Sequence, residues 1–142
     1  METLAMPDVF PPSPPPAAAT VATSNGRLRL EGLPSGERNY AIWIHLSPLL
    51  AFLVVGPIAG VVPLVLWLTR RETSAFADDH GKEVVNLCIS GIVLFVIGLV
   101  TGVGLLLWTV WAIVAAINVI RGSIAASNGE YFRYPMTMRF VS

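Results

Sequence analysis

Charge is what this sequence has least of. Only 13% of its 142 residues are Asp, Glu, Lys or Arg, and the acids and bases balance to zero net charge. A soluble domain of this length needs charge to cover its surface, so the composition excludes that class and points to a membrane protein. With no basic excess, nothing indicates a nucleic-acid partner. Cys88 is the lone cysteine and sits inside an apolar run. That excludes a disulfide framework and zinc-ligand spacing, and leaves the thiol as a small packing residue. Also missing are G-x-S-x-G, H-E-x-x-H, a phosphate-binding loop and a dinucleotide fingerprint. The reading is therefore a non-enzyme with no cofactor.

The charge is missing in two blocks, residues 39–69 and 84–120. As single straight helices they would be roughly 46 and 56 Å long, against a hydrocarbon core of about 30 Å. The second block must therefore turn, and Thr101-Gly-Val-Gly104 supplies the break, giving spans at 84–100 and 105–121. The first block contains Gly56-Pro57, Gly60 and Pro63. It reads either as one kinked span or as two short segments, about 41–56 and 60–69, meeting near GPIAG. With four segments all nine Lys and Arg residues fall on one side of the membrane. The positive-inside rule favours that arrangement, with both termini cytoplasmic and the chain in the inner (plasma) membrane. Trp43, Trp67 and Trp108 stand near the ends of the spans, where interfacial tryptophans belong.

The expected organisation is a tail and linker over 1–38 and a membrane domain over 39–142. Residues 1–26 carry PPSPPPAAAT (11–20), which can build neither helix nor ladder. They read as a disordered tether, or else a docking peptide for a proline-binding module. Glu2, Asp8 and the prolines do not fit a secretory signal. Residues 27–38 read as a juxtamembrane linker. After Arg121 the chain is wetter, and the segment through YFRYP and MTMRF is expected along the headgroup layer or paired locally, with Pro135 confining it to an edge.

DDHGKEVVN (78–86) is the densest polar stretch. Asp78, Asp79, His80 and Glu83 are ligand types, but the spacing is poor and no second histidine follows, so no metal is expected. The better reading is a helix start, with Asp78 or Asp79 as cap, Glu83 at the positive dipole end and Lys82 at the headgroups. Lys82, Asn86 and Ser90 form one row on a helix. Asn86 and Ser90, with Asn118 and His45, are the intramembrane polar groups, and each needs a partner inside the bundle. A functional alternative makes Asn86, Ser90 and Asn118 a wet path.

HLSPLLAF (45–52), GPIAGVVPLVLWLTRRE (56–72), FADDHGKEVVN (76–86) and NGEYFRYPMTMRFV (128–141) together resemble the family called domain of unknown function 4870, grouped as Tic-twenty-like. The resemblance covers roughly 40–142 and departs at Leu87, where members commonly carry phenylalanine. It implies a small bacterial helical membrane protein, no catalytic residues, and by analogy with the plastid import subunit a link to protein translocation. Asp79 is read with the matching motif residues Lys82, Glu83, Asn86, Tyr131, Tyr134 and Pro135 as shared architecture. The C-terminal segment is expected to fold back on the 70–83 loop, with Glu83 or Asp79 meeting Arg133 or Arg139.

The sequence thus predicts an all-α polytopic bundle of two helical hairpins, the first broken at Gly-Pro, behind a disordered N-terminal tail. Its expected function is that of a non-enzymatic subunit of a membrane complex, with the bilayer, other membrane proteins or further copies of itself as partners. A small transporter or channel, and a metal-dependent membrane enzyme, are the rival readings.

Overall fold

The computed structural model describes residues 19–142, with backbone alone at 55, 57 and 58. Most of the proline-rich tail therefore lies outside the described residues. Two short antiparallel strands come first, β1 (Thr20–Ala22) and β2 (Leu28–Leu30), followed by helices α1 (Ser35–Val55), α2 (Val61–Arg70), α3 (Ala75–Thr101) and α4 (Gly104–Ser127). A 3-10 turn, Gly56–Gly60, joins α1 to α2. The fold is a small helical membrane bundle. Two of its helices, α3 and α4, are long and apolar enough to cross a bilayer.

Local chemistry explains the breaks. α1 ends at Gly56 and α3 at Gly102, both at positive φ (62° and 70°), where a glycine has no Cβ penalty. Pro48 lies inside α1 and cannot donate to the carbonyl of Ile44. The Ser47 hydroxyl donates to that carbonyl instead, at 2.8 Å, so the helix carries its proline without an orphaned acceptor.

The two hairpins are antiparallel pairs of unequal depth. Tyr40, early in α1, donates its hydroxyl to the carbonyl of Leu66 (2.8 Å), late in α2. α2 then runs along α3: Gly60 abuts Cys88, and Gly81 abuts the Trp67 ring. In the second hairpin Gly91 faces the Trp111 ring and Gly98 faces the Gly104 backbone, so small residues set the close approach of α3 to α4. The GPIAG turn therefore stops beside Cys88. α3 continues to Thr101, roughly 20 Å further at 1.5 Å per residue. Beyond Cys88 the second hairpin stands with little company, and Val96, Val100, Leu106 and Val110 are exposed. In water that apolar sheath would be heavily penalised; in lipid it is matched.

The core sits at the opposite, charged end. Ile44, Val84, Leu87, Val119, Ala125, Phe132 and Tyr134 pack there into one cluster. Several sequence expectations change at this end. The 27–38 linker includes a strand, because β2 pairs with β1 and then takes Glu130 as a bridge partner through Arg29. α3 begins at Ala75 rather than near Val84, since the polar stretch 75–83 is helical and lies over the core. Its cap is Ser74, whose side chain accepts from the Ala77 N–H, so neither Asp78 nor Asp79 caps it. α4 continues past Arg121 to Ser127 for the same reason. Trp67 is buried against α3 rather than placed in the lipid interface, and its indole N–H donates to Asp78 (2.7 Å).

Candidate functional site

The polar residues of α3 form a docking row for the C-terminal segment. Asp79, Glu83, Asn86 and Ser90 are spaced four, three and four apart, which aligns them on one helix face. Each meets residues 133–141. Arg133 donates to both oxygens of Asp79 at 2.5 Å, a two-pronged guanidinium–carboxylate pair. Glu83 accepts from the Tyr134 N–H (3.0 Å) and lies 3.6 and 3.5 Å from Arg133 and Arg139. Asn86 accepts through Oδ1 from the N–H groups of Phe140 and Val141, and donates through Nδ2 to the Val141 carbonyl, each at 2.9 Å. The Ser90 hydroxyl donates to the Asn86 carbonyl and accepts from the Met138 N–H. Thus a segment with no ladder of its own has its backbone groups satisfied by side chains of a membrane helix.

The segment turns as it docks. Tyr134 meets Glu83, Met138 reaches down to Ser90, and Phe140 and Val141 return to Asn86. Pro135 and Met136 make the bend, with Met136 at φ 61° and largely exposed. Met138 and Phe140 are exposed too, so the loop presents an apolar rim where the row enters the membrane.

Beneath the segment lies a buried chain of three side chains. The Tyr134 hydroxyl is 2.7 Å from His45 Nδ1, and His45 Nε2 is 2.7 Å from His80 Nδ1. Both histidines are fully buried. Phe76, Tyr131 and Phe132 surround them with edge and stacked ring contacts. Gly122 of α4 makes room: a Cβ there would lie 2.7 Å from His45 Nδ1. Burial pushes the Tyr134 phenol well above its ordinary value, followed in effect by Cys88 and Glu83 nearby. The same cause raises Tyr131. At neutral pH both are uncharged hydrogen-bonding groups.

The sequence-singled residues therefore divide. Asp79, Glu83, Asn86, Ser90, Tyr134 and His45 belong to this dock and its floor. Tyr131 stacks on His80 rather than binding the row. Lys82 turns away to Asp78 (2.9 Å), and so leaves the row on which spacing placed it. Asn118 spends its Nδ2 on the Val114 carbonyl of its own helix, and its Oδ1 has no partner among the described residues. Among the described residues no hydrogen bond links it to Asn86 or Ser90. The ligand types of DDHGKE diverge as well: Asp78 to Lys82 and Trp67, Asp79 to Arg133, Glu83 to two arginines, and His80 inward. Among the described residues no group of three His, Cys, Asp or Glu is placed to hold a metal ion. The sequence reading missed His80 as the partner of His45. The available signal was that the chain has two histidines, each beside an apolar run where an unpaired imidazole would be costly.

The geometry binds the chain to itself: its acceptors and donors are spent on other parts of the same chain, down to the short hydrogen-bond chain Tyr134–His45–His80. Residues 36–141 match the family model described as the magnetosome magnetite crystal formation protein family (MamF/MmsF). No curated protein and no solved structure matches the chain. The match corrects the resemblance to domain of unknown function 4870 and the Tic-twenty-like group, and the link to protein translocation falls with it. Two of the four motifs that carried the resemblance, 76–86 and 128–141, hold most of the docking row and the segment it binds. Such residues mark an architecture, and an architecture carries no particular function.

Proposed function

Because the chain belongs to the magnetosome magnetite crystal formation protein family, we propose that it is a non-enzymatic protein of the magnetosome membrane that acts in forming the magnetite crystal. The observation that carries the proposal is the family match over residues 36–141, which takes in all four helices and the docked C-terminal segment. The two ends of the bundle bear on how it acts. One end holds the β-hairpin, the docking row and every described arginine and lysine. The other is the turn Thr101-Gly-Val-Gly104, with no ionisable side chain to offer a mineral surface. By the positive-inside rule the charged end, with both termini, faces the cytoplasm. The protein then contributes to crystal formation through the membrane and its protein partners, or through copies of itself.

Deletion of the gene in the organism that encodes it, with electron microscopy of the crystals, tests the proposal. Fewer or smaller magnetite crystals, restored by the full-length gene, are expected. Unchanged crystals in the deletion strain would refute it.

A further inference from the structure

We propose that a cleft between the β-hairpin, α4 and the C-terminal segment binds the phosphate of an anionic phospholipid. The cleft is about 670 Å³, and Arg27, Arg121, Arg133, Asp79, Asn118 and Tyr131 are among its walls. Two of its arginines are already held. Arg27 pairs with Glu130 at 3.2 Å and lies 5.0 Å over the Phe132 ring, and Arg133 grips Asp79. The third, Arg121, is exposed and has no ion-pair partner among the described residues. A guanidinium without a counter-ion at the edge of the hydrocarbon calls for one, and its planar fork matches a phosphate.

Position selects a lipid over free phosphate. Arg121 directly follows the last uncharged residue of the second block, Ile120, which sets it at headgroup level. Asn118 and Arg121 are three apart and share a face of α4. One turn deeper on that face stand Val114 and Ile117, both exposed. A phosphate seated at Arg121 thus has an apolar track below it for an acyl chain. Basic pockets at helix ends recognise anionic headgroups in this way. The inference needs the bundle to lie in a membrane and does not depend on the crystal-forming role.

The test is native mass spectrometry of the full chain in mild detergent, titrated with phosphatidylglycerol or with phosphatidylcholine of the same acyl chains. Wild type should retain one phosphatidylglycerol in preference to phosphatidylcholine, and Arg121→Gln should weaken that retention roughly tenfold. Arg29→Gln removes another exposed arginine outside the cleft and should change nothing. An unchanged melting temperature for Arg121→Gln shows that the variant is folded. Equal losses in the two variants, or equal retention of the two lipids by wild type with no displacement by millimolar inorganic phosphate, would overturn the site. Displacement of phosphatidylglycerol by millimolar inorganic phosphate, with no preference between the lipids, would keep an anion site and overturn the lipid as its occupant.

Discussion

His45 of α1 and His80 of α3 meet ring to ring, Nε2 to Nδ1 at 2.7 Å, in the part of the bundle where all four helices and the C-terminal segment converge. Neither imidazole reaches solvent. The pair therefore acts as a polar pin through an otherwise apolar core, and its members depend on each other.

Removing one member should cost more than removing both. His80→Leu leaves His45 Nε2 buried and unsatisfied, an expected loss of about 1–3 kcal/mol. The double variant His45→Phe/His80→Leu removes both polar groups, although it also releases the Tyr134 hydroxyl. Thermal unfolding in detergent across the double-mutant cycle should show a favourable coupling energy between the two. Strictly additive losses would contradict the pairing.

Asn86 should control the end of the chain. Asn86→Ala deletes three hydrogen bonds to Phe140 and Val141, together worth about 2 kcal/mol. Hydrogen exchange at Phe140 and Val141 should accelerate at least about tenfold, while exchange in α4 stays as it was. Unchanged protection at those two amides would show that Asn86 does not hold the segment.

Gly122→Ala tests the packing around His45. The added methyl would stand 2.7 Å from the ring and must displace it. A loss of about 1–3 kcal/mol is expected from overpacking. Gly36→Ala, with open space around it, is the matched control and should be nearly silent.

Alkali should loosen the dock. Burial raises the folded-state value of the Tyr134 phenol well above 10.0. A phenol with a raised folded value contributes stability fully below about pH 10, where the unfolded chain also keeps it neutral. That contribution is lost as pH rises through the folded value. Stability measured from pH 8 upward should be flat at first and fall above about pH 10, with a shallower fall in Tyr134→Phe. Tyr131, also raised, retains part of the slope.

The membrane helices were readable in the sequence because lipid imposes one crude demand, the absence of charge, and the runs 39–69 and 84–120 meet it visibly. The length of the second block demands a turn, and Gly102 and Gly104 place it at Thr101–Gly104. The depth of the first hairpin is not legible in this way, since Gly60 meeting Cys88 is a tertiary contact with no local signature. The dock was half legible. Arg133 with Asp79 and Arg139 with Glu83 are opposite charges at one end of the bundle, so charge matching finds them. The pairing of Asn86 with the backbone of Phe140 and Val141, and of His45 with His80, joins residues far apart in sequence through groups that carry no formal charge. The extension of α3 back to Ala75 was hidden because Ser74, an ordinary loop residue by composition, turned out to be the cap.

In the proposed membrane placement the bundle is lopsided, with its polar apparatus at one membrane face and only the second hairpin reaching the other. Single cysteines at Glu72, Ser142, Val61 and Val103, in a Cys88→Ala background, can be probed from each side of sealed membranes with an impermeant thiol reagent. Labelling of Glu72→Cys and Ser142→Cys from one side, of Val103→Cys from the other, and of Val61→Cys from neither is the expected pattern. Labelling of Val103→Cys from the Glu72 side, or of Val61→Cys from the Val103 side, would contradict it.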